Sequence, residues 1–337
     1  MTERNEDRNL APEQFEEMNL EFYDADFGPA DYLSHRLRAL LLVTSNSEQV
    51  DQALREPFDV GGTRITLSED EMQPGPGPHG SYLAAESTVV LHHAAEALVR
   101  LYMAHRRWDR DPTRLPPCPW LEAARQRHPL FKFNKELLRL QRSLEEPSTA
   151  ASLMEVFIGT EERPSGYDGQ IDQPAWDDYQ RALVALFQVV VARLLSDAGL
   201  YNAAKHGLAI IPGESWLSGA FEDEPEPTYR FLGDGPAVTY LDRGGEKGAE
   251  RWERRVTWVR PEGNLQLILL ITRQVENLWT FARSRYLKVG PKGGQPFRVH
   301  LMELEEVHRA LTPKPQPGVI RLGSSSRSLL YRLEDRG

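Results

Sequence analysis

The chain has 337 residues, 40% of them hydrophobic and 27% charged, with a formal net charge of −10. That is enough chain for one large domain or two ordinary ones, in the composition range of a globular protein rather than a disordered or fibrous one. The acidic balance argues against a general polyanion binder, and the single cysteine, Cys118, excludes an internal disulfide and a cysteine-rich zinc site.

The N-terminal stretch MTERNEDRNLAPEQFEEMNL is charged and lacks the apolar core of a signal peptide. No apolar run approaches the roughly 20 residues that span a bilayer. The sequence therefore predicts a cytoplasmic protein with no membrane partner, and no motif in it asks for a cofactor.

Residues 1 to 30 read as a mobile arm or a loosely packed first helix. Residues 30–43 have helical spacing, with Leu33, Leu37, Leu40 and Leu41 on one side. Ser47 is a candidate cap for a short helix, SEQVDQALRE. Residues 58–67 hold a Gly-Gly turn and a β-branched run, which predicts a hairpin. The QPGPGPHG stretch at 73–80 reads as a linker, since alternating Pro and Gly does not continue a helix. A second long helix follows over 81–107, then a Pro-rich turn into PWLEAARQR, an amphipathic segment at 133–144 and a further helix, TAASLMEVFI.

The longest apolar helical pattern runs from Gln173 to Gly207 and ends in Tyr201-Asn202-Ala203-Ala204-Lys205-His206-Gly207. An apolar character nearly all round makes it the expected central helix. Short β-branched runs at 208–211, 229–232, 237–241 and 251–259 predict a small antiparallel sheet. Pro261 introduces a third long helix over 262–287. Residues 297–307 fit strand or helix, and GVIRL is a candidate last strand. The expected fold is mainly α: a helical bundle on three long helices with a small antiparallel β insertion at about 208–260. Its parts are an N-terminal helical and hairpin subregion (1–72), a helical core (81–287) and a C-terminal extension (288–337).

Asn202 and His206 stand four apart, so both project from one helix face, where an imidazole beside an amide suits positioning a hydroxyl, a phosphate or a base. Lys205 and His206 before Gly207 are also what a helix C-terminus favours for capping alone. Arg100 and His105 form an Arg-x-x-x-x-His spacing, but five residues put them about 140° apart on a helix. Their joint use would need a neighbouring helix or a second subunit. His92, His93 and Glu96 form a third cluster: His92 and Glu96 are spaced to share a metal, yet no further ligand stands near in sequence, and a buried polar seam or a structural His–Glu pair is the better explanation. Arg273, Glu276 and Asn277 interrupt the apolar face of the third helix. With Glu96, Arg100, Arg193, Lys205 and Asn202 they define an expected polar seam among the long helices, since buried charge needs partners. Walker A, G-x-G-x-x-G, G-x-S-x-G and H-E-x-x-H templates are absent.

A long apolar helix ending in Asn-x-x-x-His resembles the HEPN superfamily of helical nucleotide-binding and RNase domains, whose motif is often Arg-Asn-x-x-x-His. Asn202 and His206 match, and Tyr201 stands where the arginine belongs. The resemblance covers the helical part, about 80–287. It implies binding of RNA or a nucleotide, or of a protein partner, in a bacterial defence or toxin–antitoxin setting, with a cleft built at a homodimer interface. Tyr cannot supply the charge with which the family's arginine polarises a phosphate, so a catalytically degenerate copy is expected. The alternatives are a structural or interaction module with no nucleic-acid role, and an active metal-independent RNase using Arg100 and His105.

Overall fold

A computed structural model describes residues 11–45, 58–60, 63–65, 76–106, 118–125, 130–160, 172–205, 209–220, 229–244, 251–287, 299–312 and 326–330. The protein is mainly helical with a small antiparallel β insertion. The helices are α1 (Pro12–Asp24), α2 (Pro29–Ser45), α3 (Pro76–His105), α4 (Pro119–Arg125), α5 (Leu130–Ser143), α6 (Pro147–Ile158), α7 (Gln173–Ser196), α8 (Ala198–Lys205), α9 (Pro261–Leu287) and α10 (Leu304–Leu311). The strands are β1 (Phe58–Val60), β2 (Thr63–Ile65), β3 (Ile210–Ala220), β4 (Tyr229–Gly244), β5 (Arg251–Trp258) and β6 (Ser326–Leu330). β1 and β2 form the expected hairpin, and β3-β4-β5-β6 form one antiparallel sheet in that order. The expected helix at SEQVDQALRE and the GVIRL strand lie outside the described residues; the strand added to β5 is β6.

Prolines open most of these helices. Pro12, Pro29, Pro119, Pro147 and Pro261 each stand first, where the missing N–H leaves no helical bond unmade. The same logic corrects the linker expectation at 73–80. Pro76 and Pro78 lie in the first turn of α3, so the helix absorbs most of that stretch. Residues 304–311 resolve as helix rather than strand, with the Glu303 N–H bonded to Glu306 Oε2 at 3.0 Å as a reciprocal cap.

The expected central helix breaks. α7 ends at Ser196, a bend at Asp197 intervenes, and α8 begins with Tyr201 N–H bonded to Asp197 O at 2.9 Å. Ser, Asp and Gly crowd this point, and all are weak helix formers. α7 is also not buried all round: Trp176, Tyr179, Leu183, Leu186, Phe187, Val190 and Leu194 line one face, while Arg181, Gln188 and Ala192 face water. Among the described residues it is the one helix long and apolar enough to cross a membrane by length and composition, with 44% of that window buried. On α2, Leu33, Leu37 and Leu40 are buried but Leu41 is 42% exposed, so the apolar stripe is narrower than expected.

In the sheet, the two expected strands at 229–232 and 237–241 are one. β4 runs through Gly233-Asp234-Gly235-Pro236, with Gly235 at φ +143° and a register shift at Leu217/Ser218 that absorbs an extra residue.

The chain forms two compact units. The first comprises Met1–Ser34, His93–Ser196 and Ile268–His308; the second comprises His35–His92, Asp197–Leu267 and Arg309–Gly337. The first holds a helical core around Tyr102, Leu137, Leu140, Leu153, Phe157, Phe187 and Val275. The second packs Ala84, Leu200 and Ala203 against Val238, Tyr240 and Val259 on one face of the sheet. There Gly263 is obligatory: a Cβ on it would lie 2.7 Å from Ala310 O.

Candidate functional site

The Tyr201–His206 cluster belongs to the second unit. Its local form follows from α8, which turns Leu200, Ala203 and Ala204 inward. Tyr201 is thereby left beside α3, where its ring stacks on His92 at 4.8 Å between centroids and 15° between planes. Lys205 is exposed with Nζ 5.4 Å from the Tyr201 ring, a cation–π distance. Asn202 is half-buried on the same helix. His206, the leading catalytic candidate, lies outside the described residues. What is assembled here is an aromatic stack edged by an ammonium group.

Arg100 and His105, in the first unit, go to different partners. Arg100 binds Glu96 one turn back, with Nε at 2.7 Å and Nη2 at 2.6 Å from Oε1, and its guanidinium lies 4.0 Å over the Phe133 ring. His105 is buried. Its Nδ1 lies 2.7 Å from Leu101 O, which can only accept, so Nδ1 carries the proton. Nε2, 2.5 Å from Tyr23 Oη, then accepts the phenol hydrogen. Burial pushes the His105 pKa down to about 4, and it pushes that of Tyr23 up, so this pair is neutral. The adjoining cavity, lined by His105, Arg106, Glu155, Phe281 and Arg285 among others, measures about 20 Å³, room for one water and not for a substrate.

Glu96 is taken by Arg100, and Glu276 sits in a 56% exposed side chain paired with His300 Nε2 at 3.2 Å. Arg193 and Arg273 are half-buried, and Lys205 attends Tyr201. The buried polar residues of α9 are Asn264, Thr272, Gln274 and Asn277, the last two one position along from Arg273 and Glu276. Tyr179 Oη donates to Gln274 Oε1 at 2.6 Å, and Asn277 Nδ2 donates to the same oxygen at 3.1 Å and to His300 O at 3.0 Å. Asn277 Oδ1 accepts the His300 N–H at 2.9 Å. This network holds the His300 backbone against α9. Among the described residues no group of three or more His, Cys, Asp or Glu is arranged to hold a metal.

Sequence reasoning missed the charge arrangement of the sheet. Arg255 bridges Asp242 Oδ2 and Glu253 Oε2, each at 3.0 Å, and Glu253 is buried. The alternation in Arg251–Trp258 carried that signal, because period-two patterning puts Glu253 and Arg255 on one face and Trp252 and Arg254 on the other. Comparison with known proteins finds no matching family model, no similar curated protein and no similar solved structure.

Proposed function

We propose that the chain is a HEPN-like, catalytically degenerate protein that binds RNA or a nucleotide without cleaving it. The observation that carries this reading is the Tyr201–His92 stack at 4.8 Å. The residue in the motif's arginine position is spent on ring packing, and the nearby Lys205 is directed at that ring. The competing pair offers no substitute. His105 uses both ring nitrogens internally, and Arg100 is engaged by Glu96 and Phe133. A general base needs a nitrogen within reach of the proton it takes. The acidic net charge supports a second reading, an interaction module with no nucleic-acid role.

The test is metal-free incubation of purified full-length protein with single-stranded RNA, beside His206→Ala and His105→Ala. The expected result is intact RNA in all three reactions. Cleavage by the wild type that His206→Ala abolishes would overturn the degenerate reading, and cleavage abolished only by His105→Ala would revive the Arg100–His105 enzyme.

A further inference from the structure

Among the described residues of the first unit, Tyr23, Tyr102 and Tyr179 are buried, and their hydroxyls are met in two different ways. Tyr179 donates to the Gln274 amide at 2.6 Å, and Tyr102 donates to Ser152 Oγ at 3.3 Å. Neither acceptor takes a proton near neutral pH. Tyr23 instead donates to His105 Nε2, which carries a basic lone pair. An amide is enough to satisfy a buried phenol. An imidazole adds a place for its proton to go.

The surrounding rings set Tyr23 apart a second time. Trp279 lies 5.0 Å from it and Tyr286 4.7 Å, the latter stacked at 10°. Trp279 and Tyr286 are two turns apart on α9 and so share one of its faces. Phe22 touches Trp279 at 4.8 Å and stacks on Trp120 at 5.5 Å. Trp120, in the first turn of α4, is 37% exposed, whereas Tyr23 is 0% exposed. A row of touching rings therefore runs from solvent to a buried phenol that rests on a base. Indole and phenol lose an electron far more readily than a phenyl ring. The ring neighbours of Tyr102 are the phenyl groups of Phe157 and Phe187, so no such row reaches it through them.

We propose that Tyr23 is a site of reversible one-electron oxidation, with His105 as its proton acceptor and Trp279 and Trp120 as the route for the electron. The oxidant is an outer-sphere one-electron acceptor, a metal complex, that meets Trp120 at the surface and leaves reduced by one electron. The electron comes from Tyr23 through Trp279 and Trp120, with Phe22 as the contact between the two indoles. The O–H bond of Tyr23 breaks, an N–H bond forms at His105 Nε2, and a neutral phenoxyl radical is left beside an imidazolium. Nδ1–H stays on Leu101 O, and the new Nε2–H donates back to Tyr23 Oη. Burial disfavours that imidazolium. An oxidised phenol that kept its proton would be a cation in the same apolar place and a far stronger acid, so the proton crosses. A one-electron reductant reverses both transfers, and burial keeps the radical from pairing with another in the meantime. RNA binding assigns nothing to Tyr23, so this role stands or falls separately from it.

The test is flash photolysis of ruthenium tris-bipyridine with persulfate in the presence of the full-length protein at neutral pH. Transient absorption and EPR of frozen samples read the radical. Radicals on exposed tyrosines such as Tyr32 and Tyr82 decay by pairing, and a tyrosyl radical that outlasts them is expected in the wild type. In wild type grown with histidine labelled in heavy nitrogen, that radical should show coupling to a histidine nitrogen, a readout that needs no substitution. Tyr23→Phe should abolish it, while Tyr102→Phe and Tyr179→Phe should retain it. His105→Gln, which accepts a hydrogen bond but not the proton, should slow its formation about a hundredfold. Trp120→Phe should slow it severalfold. A persistent radical unchanged in Tyr23→Phe, or one without histidine coupling in the wild type, would overturn the proposal. So would the absence of a persistent radical while free tyrosine is oxidised by the same flash. An unchanged rate in Trp120→Phe would overturn the electron route.

Discussion

The His105 centre and the open sheet face are opposite solutions to presenting polar chemistry. At His105 every donor and acceptor is met from within: Tyr23 Oη on one ring nitrogen, Leu101 O on the other. On the sheet, Arg254 and Trp252 face water with no described partner, while the acidic residues of the same strands are retired to the other side with Arg255. A satisfied interior stabilises one conformation; an unsatisfied surface is what a ligand can use. Candidate residues chosen by type alone, such as histidine and arginine at a motif spacing, do not separate these two cases, because the difference lies in where the neighbours stand.

Acid is the strongest way to break the closed side of this comparison. The folded His105 pKa of about 4 lies below the ordinary 6.5, so between those values the unfolded chain binds the proton that the folded chain refuses. Stability contributed by this site is therefore full above about pH 6.5 and is lost as pH falls towards 4, on the order of 3 kcal/mol over the whole window. Urea unfolding at pH 7 and pH 4.5 should show a larger acid loss in the wild type than in His105→Gln. Equal losses would mean that His105 is accessible to protons in the folded state. Next in size is Asn277→Ala, which removes two bonds to the His300 backbone and one to Gln274. It should cost about 2 kcal/mol by leaving those groups buried and unpaired, and it should speed amide exchange at His300. Unchanged exchange there would show that the segment 299–303 is held by something else.

Most helices and the sheet were legible because each had its own signature: proline at the first turn of α4 and α9, leucine spacing in α2, β-branched runs in β4 and β5. The errors have equally local causes. Pro76 and Pro78 look like breakers but occupy the one turn where proline is harmless. Ser196 to Gly199 looks like part of a long apolar helix because its flanks are apolar, and only the clustering of weak helix formers marks the break. On α9, Arg273 and Glu276 attract notice by charge, whereas the inward phase of the helix carries Asn277, which was legible as an interruption of the apolar face, and Gln274, which was not. A neutral amide is the cheaper group to bury, so charge was the wrong guide to depth. Tyr201 was legible as a departure from the family motif, but its use in a stack depended on His92, over a hundred residues earlier, which no local pattern reports.

The smallest effect sharpens the open side. Leu241 and Val238 are three residues apart on β4, so strand alternation sends them to opposite faces. Val238 is 0% exposed and packs with Leu200 and Ala203; Leu241 is 58% exposed. If the outer face is bare in the folded protein, Leu241→Ser should change stability by no more than about 0.5 kcal/mol, as surface substitutions do. Val238→Ala, a smaller chemical change, should cost about 2 kcal/mol through lost contacts and the cavity left behind. Paired chemical denaturation of the two variants reads this directly. A Leu241→Ser penalty equal to that of Val238→Ala would mean that the outer face is itself packed, and that its apolar side chains contribute to the fold.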